Sequence, residues 1–303
     1  MRFLSDELKA IYGEKVYRLS LASGCTCPNR DGTLGTGGCT FCSAGGSGEF
    51  AAHALQAAGL PDSSDIPAYV DRQLSEAKAR IRKKTSARKF IAYYQSYTNT
   101  YGDPGYLRAL YLETIRRPEI VCLSLGTRPD CLPEPVLSML AELNAVKPVW
   151  IELGLQTAHD ETAEAVRRGY PLAVFEEAYR KLKALGLTVV VHVIFGLPGE
   201  TRVDMLDTIR YLSSLTPVLD GIKIQMLQVL RGSLLGVEYE AHPFPLMELS
   251  EYADLVRDAL ALLPGDTVVH RITGDGPKNL LLAPLWCADK KRVLNTLHRV
   301  ILS

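Results

Sequence analysis

The chain has 303 residues, 47% of them hydrophobic and 22% charged, with 24 glycines and 17 prolines, so it can bury a large core as one domain of α/β-barrel size or two small ones. Lys+Arg and Asp+Glu number 34 each; no global field draws the chain toward nucleic acid or an anionic membrane, and any RNA contact must come from a local patch. The opening Met1-Arg2-Phe3-Leu4-Ser5-Asp6-Glu7 carries acids where a signal peptide carries a basic then apolar run, and no stretch is apolar for long enough to span a bilayer, so a cytosolic protein without membrane contact is expected.

In chain order, short runs rich in Val, Ile and Leu predict strands over 16–22, 90–95, 120–125, 148–155, 187–195 and 221–227. Amphipathic stretches between and after them predict helices over 65–84, 104–116, 133–143, 172–184, 202–212 and 249–263. Pro104, Pro133 and Pro171 stand where a first helical turn begins, and Gly186 just past a helix end. Six βα units with right-handed crossovers curl into an open α/β structure, a partial (β/α)6 TIM-like barrel whose open side would admit a large substrate. A further apolar run, 267–272, and a final helix, 289–302, follow. The expected layout is a single domain over 1–303, with an N-terminal extension (1–15), a core barrel (16–230) and a C-terminal extension (231–303). The one long irregular segment is 23–60, and a loop of that length in a compact domain is usually functional.

That loop holds four of the seven cysteines, Cys25, Cys27, Cys39 and Cys42; the others are Cys122, Cys131 and Cys287. An odd count in a cytosolic chain argues for metal or redox chemistry rather than a disulfide framework. Thiolates suit iron–sulfur clusters or zinc, and the two-residue gap lets Cys39 and Cys42 grip one centre, with Cys27 closing the set across a glycine-rich hairpin. A structural zinc on all four cysteines and a CxxC redox pair are the alternatives. Three ligands leave one iron open to a small molecule, and the end of a first strand is where barrel enzymes build their sites.

The stretch from Cys27-Pro28-Asn29-Arg30-Asp31-Gly32 to Gly38-Cys39-Thr40-Phe41-Cys42 resembles the cluster loop of radical S-adenosylmethionine (radical SAM) proteins related to the Elongator catalytic subunit. It is closer still to the bacterial YtqA/YhcC-type family. The usual spacing there is CxxxCxxC; here eleven residues separate Cys27 from Cys39, a departure this branch shares. The resemblance implies Cys27, Cys39 and Cys42 as ligands of a [4Fe-4S] cluster. Cys25, one residue from Cys27 in an extended segment, would point the other way.

Further segments fit the same family in order. Tyr94-Gln95-Ser96-Tyr97 stands where the superfamily often binds the SAM amino group, so that Gln95 and Ser96 would offer oxygens; Gly126-Thr127-Arg128-Pro129-Asp130 resembles the Thr-Arg-Pro-Asp of the Elongator-like branch. Arg128 is then a SAM contact, or the segment is a capped helix start with Asp130 near the dipole. Gln156 and Arg168 have the spacing of a ribose contact and a carboxylate contact, the latter suited to a guanidinium. Glu152 would bind ribose hydroxyls or be a paired carboxylate within the sheet. Gly196 and Pro198, in Gly196-Leu197-Pro198-Gly199, resemble the glycine-proline motif beside the adenine, and Phe41 would shield the cluster. His192, on an apolar strand, reads as a satisfied core histidine.

The resemblance implies that an electron from flavodoxin or ferredoxin enters the cluster. SAM is then cleaved to methionine and a 5′-deoxyadenosyl radical, which removes hydrogen from an unactivated carbon. It also implies tRNA as substrate, at the wobble uridine. Tyr97, Tyr101, His270, Arg271 and Asp275 are the candidate substrate contacts. Lys78, Arg80, Arg82, Lys83, Lys84, Arg88 and Lys89 form a basic run without an acid; Arg82, Lys83 and Lys84 would grip phosphates, or the run is a solvated face favoured by a helix C-terminus.

Overall fold

A computed structural model describes residues 1–46, 51, 61, 63–274 and 276–302. In chain order the elements are β1 (Arg2–Phe3), α1 (Leu4–Tyr12), β2 (Val16–Leu21), α2 (Ile66–Ile81), β3 (Lys89–Tyr94), α3 (Pro104–Ile115), β4 (Ile120–Thr127), α4 (Glu134–Val146), β5 (Val149–Gln156) and α5 (Asp160–Ala165). They continue with α6 (Leu172–Ala184), β6 (Thr188–Phe195), α7 (Arg202–Ser213), β7 (Gly221–Met226), β8 (Val229–Leu230), α8 (Leu234–Ala241), α9 (Leu249–Leu262), β9 (Val268–Arg271), β10 (Leu281–Ala283) and α10 (Lys290–Leu302).

Eight parallel strands form one open sheet in the order β1-β9-β7-β6-β5-β4-β3-β2. This is the curled partial barrel expected from the six βα units, with β9 and β1 added beyond β7. Helix starts follow local chemistry. Asp103 accepts the Tyr106 N–H at 2.7 Å just before Pro104, and Thr201 and Asp204 form a reciprocal capping box at α7. Helix α2 stops at Ile81, short of the predicted 84, because the N–H groups of Lys84 and Thr85 both turn back to the Ile81 carbonyl.

Side chains alternate across each strand. One face, including Leu19, Ala92, Leu123, Leu153, Val191 and Ile224, packs under the helices as the main core. The inner face is different: Arg18, Tyr93, Glu152, His192 and Gln225 all line the barrel interior.

The N-terminal segment does more than its reading as an extension implied. Strand β1 joins the far edge of the sheet beside β9, and α1 touches both β2 and β9, bridging the two ends of the sheet. Leu8 of α1 packs with Val16, Ile91 and Cys122, closing the N-terminal end of the barrel. The opposite end carries the small antiparallel pair of β8 and β10.

Candidate active site

Beyond β2 the cysteine loop is shaped by its own backbone. The N–H groups of Arg30 and Asp31 donate to the Cys27 carbonyl (2.8 and 3.2 Å), that of Gly38 to Asn29 (2.8 Å) and that of Cys42 to Cys39 (2.9 Å). The Asn29 side-chain amide donates to the Arg167 carbonyl at 2.6 Å and to Cys39 Sγ at 3.6 Å. The Arg30 guanidinium donates to the Ser43 carbonyl at 2.5 Å and lies 5.5 Å from the Tyr97 ring centre. Gly38 is required for this packing: its φ is +81°, and a Cβ there would come within 2.8 Å of Arg30 Nε.

Cys27, Cys39 and Cys42 line one large cavity and Cys25 does not. Cys25 packs instead on the core, where its sulfur stands 3.1 Å from the position a Cβ on Gly102 would take. Burial raises its thiol to about 11. Among the described residues no three of His, Cys, Asp or Glu converge as they would on a single metal ion. A structural zinc needs four ligands within about 2.3 Å of one point, whereas a cubane cluster holds its cysteines at separate corners. Cys39 is drawn down to about 7, first by the hydrogen bond with Cys42 and then by Arg128, Asn29 and Arg30. The same hydrogen bond, with burial, pushes Cys42 up, so the two thiols share a proton that a bound cluster would displace.

The cavity, of about 1580 Å³, runs from these thiols into the barrel interior. Gln95, Arg128, Gln156, Tyr170 and Phe41 stand around its upper part. Two of its lining residues, Tyr97 (φ 57°) and Gln156 (φ 65°), and the adjacent Arg167 (φ 55°) hold left-handed backbone conformations. Such strain concentrates at functional sites in folded proteins. Gln156 folds back over Gly154, where a Cβ would meet its Nε2 at 2.7 Å. The Tyr170 hydroxyl is shared between the Gly154 carbonyl (3.0 Å) and Gln156 Oε1 (3.2 Å).

Several expected contacts are corrected. Arg168 does not line the cavity. It is 1% exposed, and its guanidinium donates to the carbonyls of Tyr170 (3.0 Å), Leu155 (2.7 Å) and Thr157 (2.6 Å) and to Asp160 (3.2 Å). It braces the turn after β5, and the guanidinium that faces the cavity is Arg128, held bidentately by Asp130 (2.9 and 2.7 Å). Of the two readings of Glu152, its contacts fit the paired carboxylate within the sheet: Ser124 (2.8 Å), His192 (2.9 Å) and Lys223 occupy its oxygens. Ser96, Gly196, Pro198 and Tyr101 stand outside the cavity lining. Gly196 instead packs near Met247 and Leu227, and the Tyr101 hydroxyl meets Thr33 Oγ1 at 2.9 Å on the cysteine hairpin. Tyr97 lines the cavity and also ties down the loop, its hydroxyl donating to the Ala44 carbonyl at 2.6 Å. His270 and Arg271 line the interior; of the basic trio only Lys84 does, while Arg82 and Lys83 stay on the surface. Asp275 lies outside the described residues.

The floor of the chamber holds residues that the sequence reading passed over. Lys223 and Arg18 both lie over the Tyr93 ring, at 4.5 and 4.9 Å, and Arg18 reaches Glu152 at 3.7 Å. Burial opposes charge on Glu152, but Lys223, Arg18 and His192 overcome it and hold the carboxyl well below its usual range. His192 is pushed down to about 4, by burial first and then by Lys223. A lone polar residue at every second position, Arg18-x-Ser20 and Lys223-x-Gln225 within apolar strands, was the signal available for this inner face.

The family model described as the radical SAM superfamily matches residues 27–212, starting at Cys27, and the Radical_SAM C-terminal domain matches 219–301. The chain belongs to the radical SAM superfamily. YtqA of Bacillus subtilis (strain 168) is 38% identical over 98% of this chain and 88% of its own length, and YhcC of Escherichia coli (strain K12) 36% identical over 96% and 88%. Among solved structures, the archaeal Methanocaldococcus infernus Elp3 superposes with a TM-score of 0.65 at 16% identity, covering 94% of this chain; the chain spans 63% of that structure's length. Radical SAM proteins use a [4Fe-4S] cluster and SAM. The residues here fit both: three thiols at one end of a chamber, Cys39 drawn toward the thiolate, and hydrogen-bonding side chains beside them. No helix among the described residues is long and apolar enough to cross a membrane.

Proposed function

We propose that this radical SAM enzyme acts on tRNA at the wobble uridine, converting a carboxymethylaminomethyl group to an aminomethyl one. Water would replace the N–C bond and the two-carbon carboxylate would leave as glyoxylate, one hydrogen atom going to the deoxyadenosyl radical and one proton and one electron to solvent and cluster. The observation that carries the reading is the single continuous chamber of about 1580 Å³, beyond the roughly 300–1,000 Å³ of ordinary small-molecule sites. It has room for SAM beside the thiols and for a nucleoside turned out of its stack below. The kinship with the YtqA/YhcC-type and Elongator-like branches supports the same choice of substrate.

When bound, the cluster and SAM supply a 5′-deoxyadenosyl radical after one-electron reduction, with flavodoxin or ferredoxin as the donor class. The chain holds and shields. Phe41 packs with Val166, Leu197 and Leu227 into an apolar wall beside the thiols, which excludes water from the reacting space. Gln95, Gln156 and Arg128 offer hydrogen bonds to SAM from three successive strand ends. Within the basic run, Lys78 pairs with Glu119, and Arg88 and Lys89 with Glu14. Arg82, Lys83 and Lys84 are exposed at the end of α2 with no carboxylate partner among the described residues, so they remain the candidates for phosphate contact.

The test is to incubate reconstituted enzyme with SAM, a reductant and bulk tRNA and to compare nucleosides by mass spectrometry. Loss of the carboxymethyl group at the wobble position is expected. SAM cleavage with unaltered nucleosides would instead favour a substrate that is not RNA. Reversing Arg82, Lys83 and Lys84 to Glu should weaken tRNA binding and flatten its salt dependence; an identical affinity and salt slope removes this segment from the footprint.

A further inference from the structure

Deep in the chamber the charges do not balance locally. Glu152 is the carboxylate among the inner-face residues of β2 to β7, and it is shared by Lys223, His192, Ser124 and Arg18. Lys223 and Arg18 both face this carboxylate, Arg271 lines the same chamber, and burial with Arg18 draws Lys223 well below its ordinary range. Lys223 takes the direct contact, and its side chain is fully buried. Arg18 is left 3.7 Å away, makes no hydrogen bond among the described residues, and keeps 23% of its side chain open to the chamber. Its guanidinium carbon lies 4.9 Å from the centre of the Tyr93 ring. A guanidinium presents five donors in a fixed fork that matches a carboxylate, and Arg18 is part of the chamber lining.

A second observation comes from another strand. His270 lines the same chamber, and its Nδ1 is buried without a hydrogen-bond partner. Its ring is held edge-on against Trp150 at 5.2 Å. Buried polar atoms are nearly always satisfied in folded proteins, so an unpaired atom on a residue that lines the chamber is one that a bound group could satisfy. The field there is positive: burial first, then Arg18 and Lys223, keep the His270 imidazole well below its ordinary range.

We propose that the inner face of the barrel is a carboxylate-binding site, with the Arg18 guanidinium as its charged donor and His270 Nδ1 as a further polar contact, and that it receives an anionic group of the substrate. One guanidinium fork matches the two oxygens of a planar carboxylate and suits a monoanion better than a phosphate, which carries close to two charges at neutral pH. The proposal deepens the reading of this chamber as the substrate's and rests on it. It places the recognised carboxylate on the inner strand face beside Arg18, in the same chamber that the thiols line.

The test uses the protein with its cluster and three small probes, acetate, inorganic phosphate and uncharged acetamide, at constant ionic strength. Acetate should raise the melting temperature saturably and acetamide should not, because only a ligand of the folded state stabilises it. Arg18→Gln should raise the half-saturating acetate concentration by about tenfold or more, the loss of a charge-assisted hydrogen bond. Equal half-saturation in that variant, or a stronger response to phosphate than to acetate, overturns the assignment. Should Arg18→Gln not fold, phenylglyoxal labelling of the wild type read by peptide mass spectrometry decides instead. Acetate should slow modification of Arg18 several-fold and leave exposed Arg82 unaffected, and equal slowing or none at Arg18 overturns the site. None of these readouts involves tRNA or turnover, so their failure is separable from failure of the nucleoside assay.

Discussion

The two ends of the chamber are built by opposite means. At the mouth, one loop supplies all three thiols and its own backbone hydrogen bonds fix them, with Arg30 and Asn29 as local braces. At the floor, Arg18, Glu152, His192 and Lys223 come from β2, β5, β6 and β7 and meet only because those strands curl around one axis. The mouth depends on local sequence; the floor depends on the barrel. Damage at the mouth should therefore abolish cofactor binding and spare the fold, while damage at the floor should cost stability and spare the cluster.

The largest expected effect is at the mouth. Cys27→Ala, Cys39→Ala and Cys42→Ala should each abolish cluster assembly, and Cys25→Ala should leave it intact, measured as iron per protein. An iron-poor Cys25 variant would blur the division, since that thiol faces the core. Next comes the floor: Glu152→Ala strands Lys223, whose side chain is wholly buried, and should cost about 3–5 kcal/mol in urea unfolding. Replacing both partners, Glu152→Leu with Lys223→Met, should recover most of that loss, because the penalty is the unpaired charge and not the missing pair.

Arg168 tests the boundary between the two regions. Its donors are committed to backbone carbonyls and Asp160, so Arg168→Met should lower stability by roughly 2–3 kcal/mol, the cost of buried acceptors left unsatisfied, with the cluster still assembled. A variant of unchanged melting temperature that binds SAM more weakly would return Arg168 to the cofactor. The smallest effect is in pH. His192 titrates at about 4 when folded against about 6.5 unfolded. The unfolded chain thus takes up a proton first, and stability falls as pH drops from about 6.5 toward 4. Linkage puts the loss from this residue at about 2 kcal/mol between pH 7.5 and 5. His192→Gln should flatten that part of the unfolding profile, and an unaltered slope would show that the imidazole takes up protons equally in the folded and unfolded protein.

Much of this architecture could be read before any coordinates. Apolar runs alternating with amphipathic ones located the six central strands, and β6 (Thr188–Phe195) lies within the expected 187–195. Strand β1 and helix α1 escaped notice because a two-residue strand has no period to detect and α1 begins without a capping side chain. Arg168 turns away from the cavity for a related reason. Spacing places a side chain near a strand end but does not say which way it turns, and here the unsatisfied carbonyls of the turn at Leu155 and Thr157 claimed the guanidinium.

By itself the sequence determined what is local: the grip of Cys39 and Cys42 across two residues, the glycine at 38 that lets Arg30 pass, and the strand and helix periods that impose a parallel sheet. Tertiary structure decided what is shared between distant strands. It turned Cys25 into the core, withdrew Arg168 from the cavity, and brought Arg18, Glu152, His192 and Lys223 onto one inner face. A thiol loop organises itself through short-range backbone hydrogen bonds, whereas a charge cluster inside a barrel exists only once sheet order and curvature have brought strands far apart in sequence within bonding distance.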